Sequence, residues 1–255
     1  MVDIRKSWDK IAAQYRKRYK ISTDNVHYGP LSPGEDELSL LGDISGKRVI
    51  DLGCGCGQNA IALAKMGARV TAVDLSAEQI RQAEDLAGTE GVTVEFKTGD
   101  IADLSSLPDS EFDLAISACA IAFVKDLESS FAEAFRLLKT GGVFVLSEMN
   151  PLQYIMDEID GGVEFNNKYP FDPILLKWSW EFQNIDRAPR FQHYVRSISH
   201  YINSLVAAGF SVSKILEPQP TIDTPHIGFS EEILEEYPYI AGHLPITFII
   251  VCRKP

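Results

Sequence analysis

The densest chemistry in the chain lies in Val49-Ile50-Asp51-Leu52-Gly53-Cys54-Gly55-Cys56-Gly57-Gln58-Asn59-Ala60. An apolar, strand-like run passes into three alternating glycines and then into a helix-like segment. Glycines let a backbone turn tightly and approach a ligand closely, and a helix start offers unpaired N–H groups. Asp74 closes the next apolar run, 21 residues after Gly53. At that distance a carboxylate can take the two hydroxyls of a ribose. Gly55 to Ala60 also satisfies GxGxxG/A, a pattern of low specificity when it stands alone.

Asp51 separates the candidate ligands. A dinucleotide would bring its anionic pyrophosphate towards a carboxylate two residues before the first glycine. A ligand with a sulfonium and an ammonium is attracted instead, by about 4 kcal/mol gross at ~4 Å and an effective dielectric near ~20. S-adenosylmethionine meets both demands, with its ribose on Asp74 and its methionine part at the glycine loop.

The elements that must position these residues follow from periodicity. Residues 3–20 read as a helix with Ile4, Trp8, Ile11, Ala12 and Tyr15 on one stripe, followed by a breaker-rich loop and a short helix through Leu38–Leu41. Strands are expected at Lys47–Leu52, Ala68–Val73, Val92–Lys97, Phe112–Ala118 and Val143–Glu148. Helices are expected at Asn59–Lys65, Ala77–Ala87 and Leu127–Leu138. Ser76 and Gln79 sit at capping-box spacing, and Thr140-Gly141-Gly142 is expected to end the third helix. This alternation calls for a parallel sheet covered on both faces. Residues 151–198 break the rhythm with nine aromatic residues, of which Trp178, Trp180 and Phe182 alternate as in a strand. A helix at Ser199–Ala208 and strands near Ser211–Glu217 and Ile246–Cys252 complete the pattern.

The run Asp51 to Gly57 resembles the first motif of the class I S-adenosylmethionine-dependent methyltransferases. Asp74-Leu75-Ser76, Gly99-Asp100-Ile101, Phe112 to Ser117 and Leu137 to Gly142 resemble that family's later landmarks, in order. The resemblance covers roughly residues 45–150 and more faintly Ser199–Phe210 and the last strand. It implies an α/β, Rossmann-like, doubly wound sheet of seven mostly parallel strands with helices on both faces. It further implies that Gly53, Cys54 and Gly55 line the methionine part and that Asp74, with Leu75 and Gln79 nearby, holds the ribose. Asp100 and Ile101 would flank the adenine, and Ser117 or Ala118 would face the sulfonium. Asp51 is expected to orient the loop and its ligand. His27 and Tyr28 lie in a loop that could close over the donor.

For a catalytic base, the family often places a histidine after the fourth or fifth strand, where this chain has Ala122 and Asn150. His193, in the aromatic stretch, either points into the cleft or is a core residue. Glu148 is either an orienting carboxylate for a cationic acceptor or the polar stop of a buried strand. His200, His226 and His243 read as helix or loop surface. Cys54 and Cys56 have no second pair such as a zinc site needs, so no metal is expected. Cys119, after the fourth strand near the expected cleft, is either a thiol of interest or a buried spectator, and Cys252 reads as core.

The 255 residues carry a formal charge of −12, which argues against a nucleic-acid partner. Residues 1–20 hold seven basic against two acidic side chains, a local +5 that reads as a solvated helix face. Neither a membrane span nor a secretory leader is expected, and the cysteine usage fits a reducing cytoplasm. The expected organisation is an N-terminal helical lid (1–44), a donor-binding core (45–150), an aromatic substrate cap (151–198) and the rest of the core sheet (199–255). The expected activity is methyl transfer to an O, N, S or C nucleophile of a small molecule, by a monomer or homodimer that binds no nucleic acid and no membrane. The alternatives are an RNA or other macromolecule methyltransferase, a catalytically silent donor-binding regulator or scaffold, and a nicotinamide dehydrogenase.

Overall fold

A computed structural model describes residues 2–159, 162–182, 184–221 and 238–255. At its centre is β1 (Arg48–Leu52), paired in parallel with β2 (Arg69–Asp74) on one side and β4 (Phe112–Ala118) on the other. The sheet extends through β3 (Glu95–Thr98) at one edge and β5 (Leu138–Met149), β11 (Thr247–Arg253) and β10 (Ser211–Leu216) at the other. Its order is β10-β11-β5-β4-β1-β2-β3, and β11 runs antiparallel to both neighbours. Successive strand residues point to opposite faces, so a strand buried on both sides reads as a continuous apolar run. Thus Ile50 and Phe144 pack under α5 (Leu127–Leu137) and α6 (Ile198–Ala207), while Val49 and Val145 pack under α3 (Gln58–Lys65) and α4 (Ala77–Glu90). Strand order reverses between β1 and β4, where open α/β sheets form their crevice.

Helix α1 (Ile4–Arg18) starts at Asp3, whose carboxylate accepts the Lys6 N–H. Its basic residues are not merely solvated. Lys10 donates to the Arg187 carbonyl, Arg16 to the Gln82 carbonyl and Arg18 to the Glu181 carbonyl. Two antiparallel hairpins lie outside the main sheet, β6 (Met156–Ile159) with β7 (Gly162–Phe165) and β8 (Ile174–Ser179) with β9 (Arg190–Val195). The second hairpin shares an aromatic core with α1. The Trp8 ring lies 5.0 Å from that of Phe191, 5.3 Å from Phe123 and 6.2 Å from Trp180, centroid to centroid. The last helix, α7, spans Pro238–His243. Among the described residues no helix is long and apolar enough to cross a membrane.

Several elements differ from the sequence-based expectation. The short second helix, α2, is Glu35–Leu38 and not Leu38–Leu41, because Glu35 turns its carboxylate onto the N–H groups of Leu40 and Leu41 and fixes them outside the helix. Helix α5 is not ended by Thr140-Gly141-Gly142: Leu138 is already extended, and Gly141 (φ 78°) sits where the β4–β5 register shifts. The strand expected at Trp178–Phe182 is β8, which ends at Ser179, although Trp180 and Phe182 remain in the aromatic core. Strand β3 starts at Glu95 rather than Val92. His226 lies outside the described residues.

Candidate active site

At the switch point the C-terminal ends of β1, β2 and β4 open into a cavity of about 380 Å³, within the usual range for a small-ligand site. The glycine loop forms its floor. Gly53 has φ 80°, and a Cβ there would come within 2.3 Å of the Ala120 Cβ, so no other residue fits between β1 and the turn after β4. The Gly53 and Cys54 N–H groups both donate to the Val73 carbonyl, tying the loop to β2. Asp74, at the end of β2, accepts from the Gly55 N–H on one oxygen and the Ser76 N–H on the other, both at 2.9 Å. Four bonded or free lone-pair sites per carboxylate leave acceptor capacity towards the cavity.

Asp51 lies below the loop at the cavity wall. Its Oδ2 is buried and has no hydrogen-bond partner among the described residues. Burial and the nearby charge of Asp74 push Asp51 up to about 7, and burial pushes Asp74 up to about 6. Desolvation disfavours the charged form, and a bound cation would restore it. Asp51, Asp74, Asp100 and Asp126 line the cavity against one lining cation, Lys125, among the described residues. The chemistry of this donor set fits a cationic ligand.

Of the residues singled out from the sequence, Asp51, Gly53, Cys54, Gly55, Asp74, Leu75, Gln79, Asp100, Ile101 and Ala118 all border this cavity. The capping box is half formed, since Ser76 Oγ accepts from Gln79 N–H while the Gln79 amide oxygen accepts from the Cys56 thiol. Four other candidates do not border it. The Tyr28 hydroxyl donates to Glu35 in the interior, so its neighbour His27 faces the cavity instead. Ser117 donates to the Leu52 carbonyl at 2.7 Å, pointing into the sheet, which leaves Ala118 at the cavity. Glu148 is buried and accepts the Ala122 N–H at 2.9 Å, so it anchors the 3-10 turn Ile121–Phe123. Burial pushes its carboxyl up to about 7.

His193 packs with ring centroids 4.7 Å from both Tyr154 and Trp178, and 6.2 Å from Phe123. The alternation along β9 explains this: Gln192 and Tyr194 face the cavity and His193 faces away. Burial pulls its imidazole down to about 4, and Nε2 has no partner among the described residues. Sequence reasoning missed Gln58, Phe123 and the pair Gln192 and Tyr194 as lining residues. It grouped Ile4, Trp8 and Tyr15 on one helical stripe but had no signal that the stripe would cover this cavity. Cys119 also borders it, in the left-handed conformation (φ 54°) that few side-chain-bearing residues adopt.

A doubly wound sheet with an acidic, glycine-floored cavity at its switch point defines the class I S-adenosylmethionine-dependent transferase architecture. Residues 43–194 match the family described as a methyltransferase domain. The uncharacterized methyltransferase YbaJ of Bacillus subtilis (strain 168) is 32% identical over 181 residues, covering 68% of this chain and 69% of its own length. A ubiquinone biosynthesis O-methyltransferase of Xanthomonas oryzae pv. oryzae is 35% identical over 144 residues, covering 56% of this chain and 60% of its own. A solved S-adenosylmethionine-dependent methyltransferase from Mesorhizobium loti shares the fold with a TM-score of 0.65 at 23% identity, covering 85% of this chain and 94% of its own. The chain belongs to the methyltransferase domain family and is an S-adenosylmethionine-dependent methyltransferase.

Proposed function

We propose that the protein methylates a small, apolar or planar molecule at an O, N, S or C nucleophile. The observation that carries this reading is that the aromatic residues Trp8, Phe123 and Tyr194 line the cavity together with Ala118, Cys119 and Ala120. Such walls suit an apolar acceptor and attract a cationic methyl group, for about 0.5–2 kcal/mol. The relative named for ubiquinone biosynthesis supports the same class of acceptor. In this reading Asp51, Gly53, Cys54 and Gly55 hold the methionine part, Asp74, Leu75 and Gln79 the ribose, and Asp100 and Ile101 the adenine.

S-adenosylmethionine supplies a methyl group that is already activated, so the residues need only hold the partners in line and exclude water. Helix α1 acts as a lid and the β8–β9 hairpin as a cap for that purpose. Glu148 contributes by holding the turn that carries Phe123. His193, on the side of β9 away from the cavity, packs with Tyr154 and Trp178 and backs the Phe123 ring. The test is transfer of labelled methyl from S-adenosylmethionine to panels of phenols, quinols, amines and thiols, with bulk RNA and denatured protein as comparators. Transfer to a small molecule supports the reading. Transfer to RNA or protein alone overturns the acceptor class, and donor binding without any transfer favours a silent donor-binding protein.

A further inference from the structure

Five buried side-chain polar atoms have no hydrogen-bond partner among the described residues: His27 Nδ1, Asp51 Oδ2, Ser147 Oγ, Gln153 Nε2 and His193 Nε2. Of the residues that carry them, His27 and Asp51 are the two that line the cavity. A buried polar group left unpaired keeps the cost of its lost hydration, so two of them at one cavity call for a ligand that pairs both.

The chain holds His27 in place from several directions. Asn59, in the first turn of α3, donates to the His27 carbonyl and accepts its N–H, each at 2.9 Å. Tyr28 is pinned by Glu35. Gly29 (φ 137°) crosses the sheet so closely that a Cβ would lie 2.7 Å from Thr247 Oγ1 and 3.2 Å from Cys119 Sγ. Thr247 in turn donates to the Pro30 carbonyl at 3.1 Å. Residues 26–31 thus form a fixed strap across the ends of β4 and β11, and its one cavity-facing polar side chain is His27.

We propose that His27 is a binding residue for the amino-acid head of S-adenosylmethionine: its imidazole meets the carboxylate while Asp51 Oδ2 meets the ammonium. Charge decides the assignment. A carboxylate beside Asp51 is repelled, so the ammonium takes that side. The lining cation Lys125 is on the turn before α5, and on the strap it is the His27 imidazole that supplies an N–H for the carboxylate. This inference rests on the donor reading above and adds a residue from the N-terminal strap to it.

The experiment measures affinities by calorimetry for S-adenosylhomocysteine and for 5′-methylthioadenosine, which keeps the nucleoside and lacks the amino-acid head. The proteins are the full-length wild type, His27→Leu and His27→Gln. The expected result is that His27→Leu weakens S-adenosylhomocysteine about tenfold or more while 5′-methylthioadenosine changes less than about twofold, because a hydrogen bond to a charged group is lost only with the first ligand. His27→Gln, which keeps a donor N–H, should fall between. Equal losses for both ligands in His27→Gln, or no loss for either in His27→Leu, overturn the proposal. A wild type that binds neither ligand overturns the donor reading itself, and this inference with it.

Discussion

At the residue scale the site is defined by two carboxylates that burial holds above their ordinary range, Asp51 at about 7 and Asp74 at about 6. A cationic ligand favours the ionised forms, so its binding must expel protons. Donor affinity should therefore rise with pH from below about 6 and level off above about 7, with net proton release near pH 6.5. Calorimetry in two buffers of different ionisation enthalpy measures that release, and an affinity flat across this range contradicts the assignment. The same shift has a stability consequence. Because the folded-state value of Asp51 exceeds the ~3.9 of a free aspartate, the folded protein holds more protons in between. The contribution of Asp51 to stability is thus present below about pH 4 and lost as the pH rises through about 7. Asp51→Asn should raise the Tm at pH 8, by on the order of 1 kcal/mol or more in stability, while weakening donor binding about tenfold or more. A thermal melt with and without S-adenosylhomocysteine reads both effects, and a lowered Tm without ligand would count against the buried-charge account.

At the scale of elements, the two proposed covers, α1 and the β8–β9 hairpin, share one aromatic core. Trp8 contacts Tyr15, Phe123, Trp180 and Phe191, and Ser7 Oγ donates to the Arg190 carbonyl at 2.6 Å. The Asp9 carboxylate accepts from Ser76 Oγ and the Glu78 N–H at the start of α4. Trp8→Ala should loosen both covers together, raising hydrogen exchange in α1 and in β8–β9 and sparing β1 and β4. Faster exchange in α1 alone would show that the two covers are independent. Much at this scale was legible beforehand, because a 3.6 period in α1 and continuous apolar runs in β1, β4 and β5 have a direct physical reading. Gly141 was misread because a glycine with positive φ serves a strand irregularity as well as a helix end. The partners of Trp178 and His193 were not legible, because they depend on a hairpin whose position is set by contacts with α1, more than 150 residues away in sequence.

At the scale of the whole molecule, the order of motifs along the chain carried the architecture: the first three landmarks fall at the C-terminal ends of β1, β2 and β3, and the sheet gathers those ends around one cavity. That is why Asp51, Asp74 and Asp100, 49 residues apart in sequence between first and last, border one cavity. The fold also explains what sequence alone left open, since the strap at 26–31 reaches the site only by crossing from the N-terminus over β4 and β11. An acidic cavity within a chain of net charge −12 suits a cationic cosubstrate and disfavours a pyrophosphate. Binding in this cavity should stabilise the folded chain by about 2.7 kcal/mol at a hundredfold excess over Kd. The central claim is tested most directly by titrating the protein separately with S-adenosylmethionine, S-adenosylhomocysteine and NAD. The account predicts micromolar binding of both adenosyl ligands and none of NAD; binding of NAD alone would contradict it.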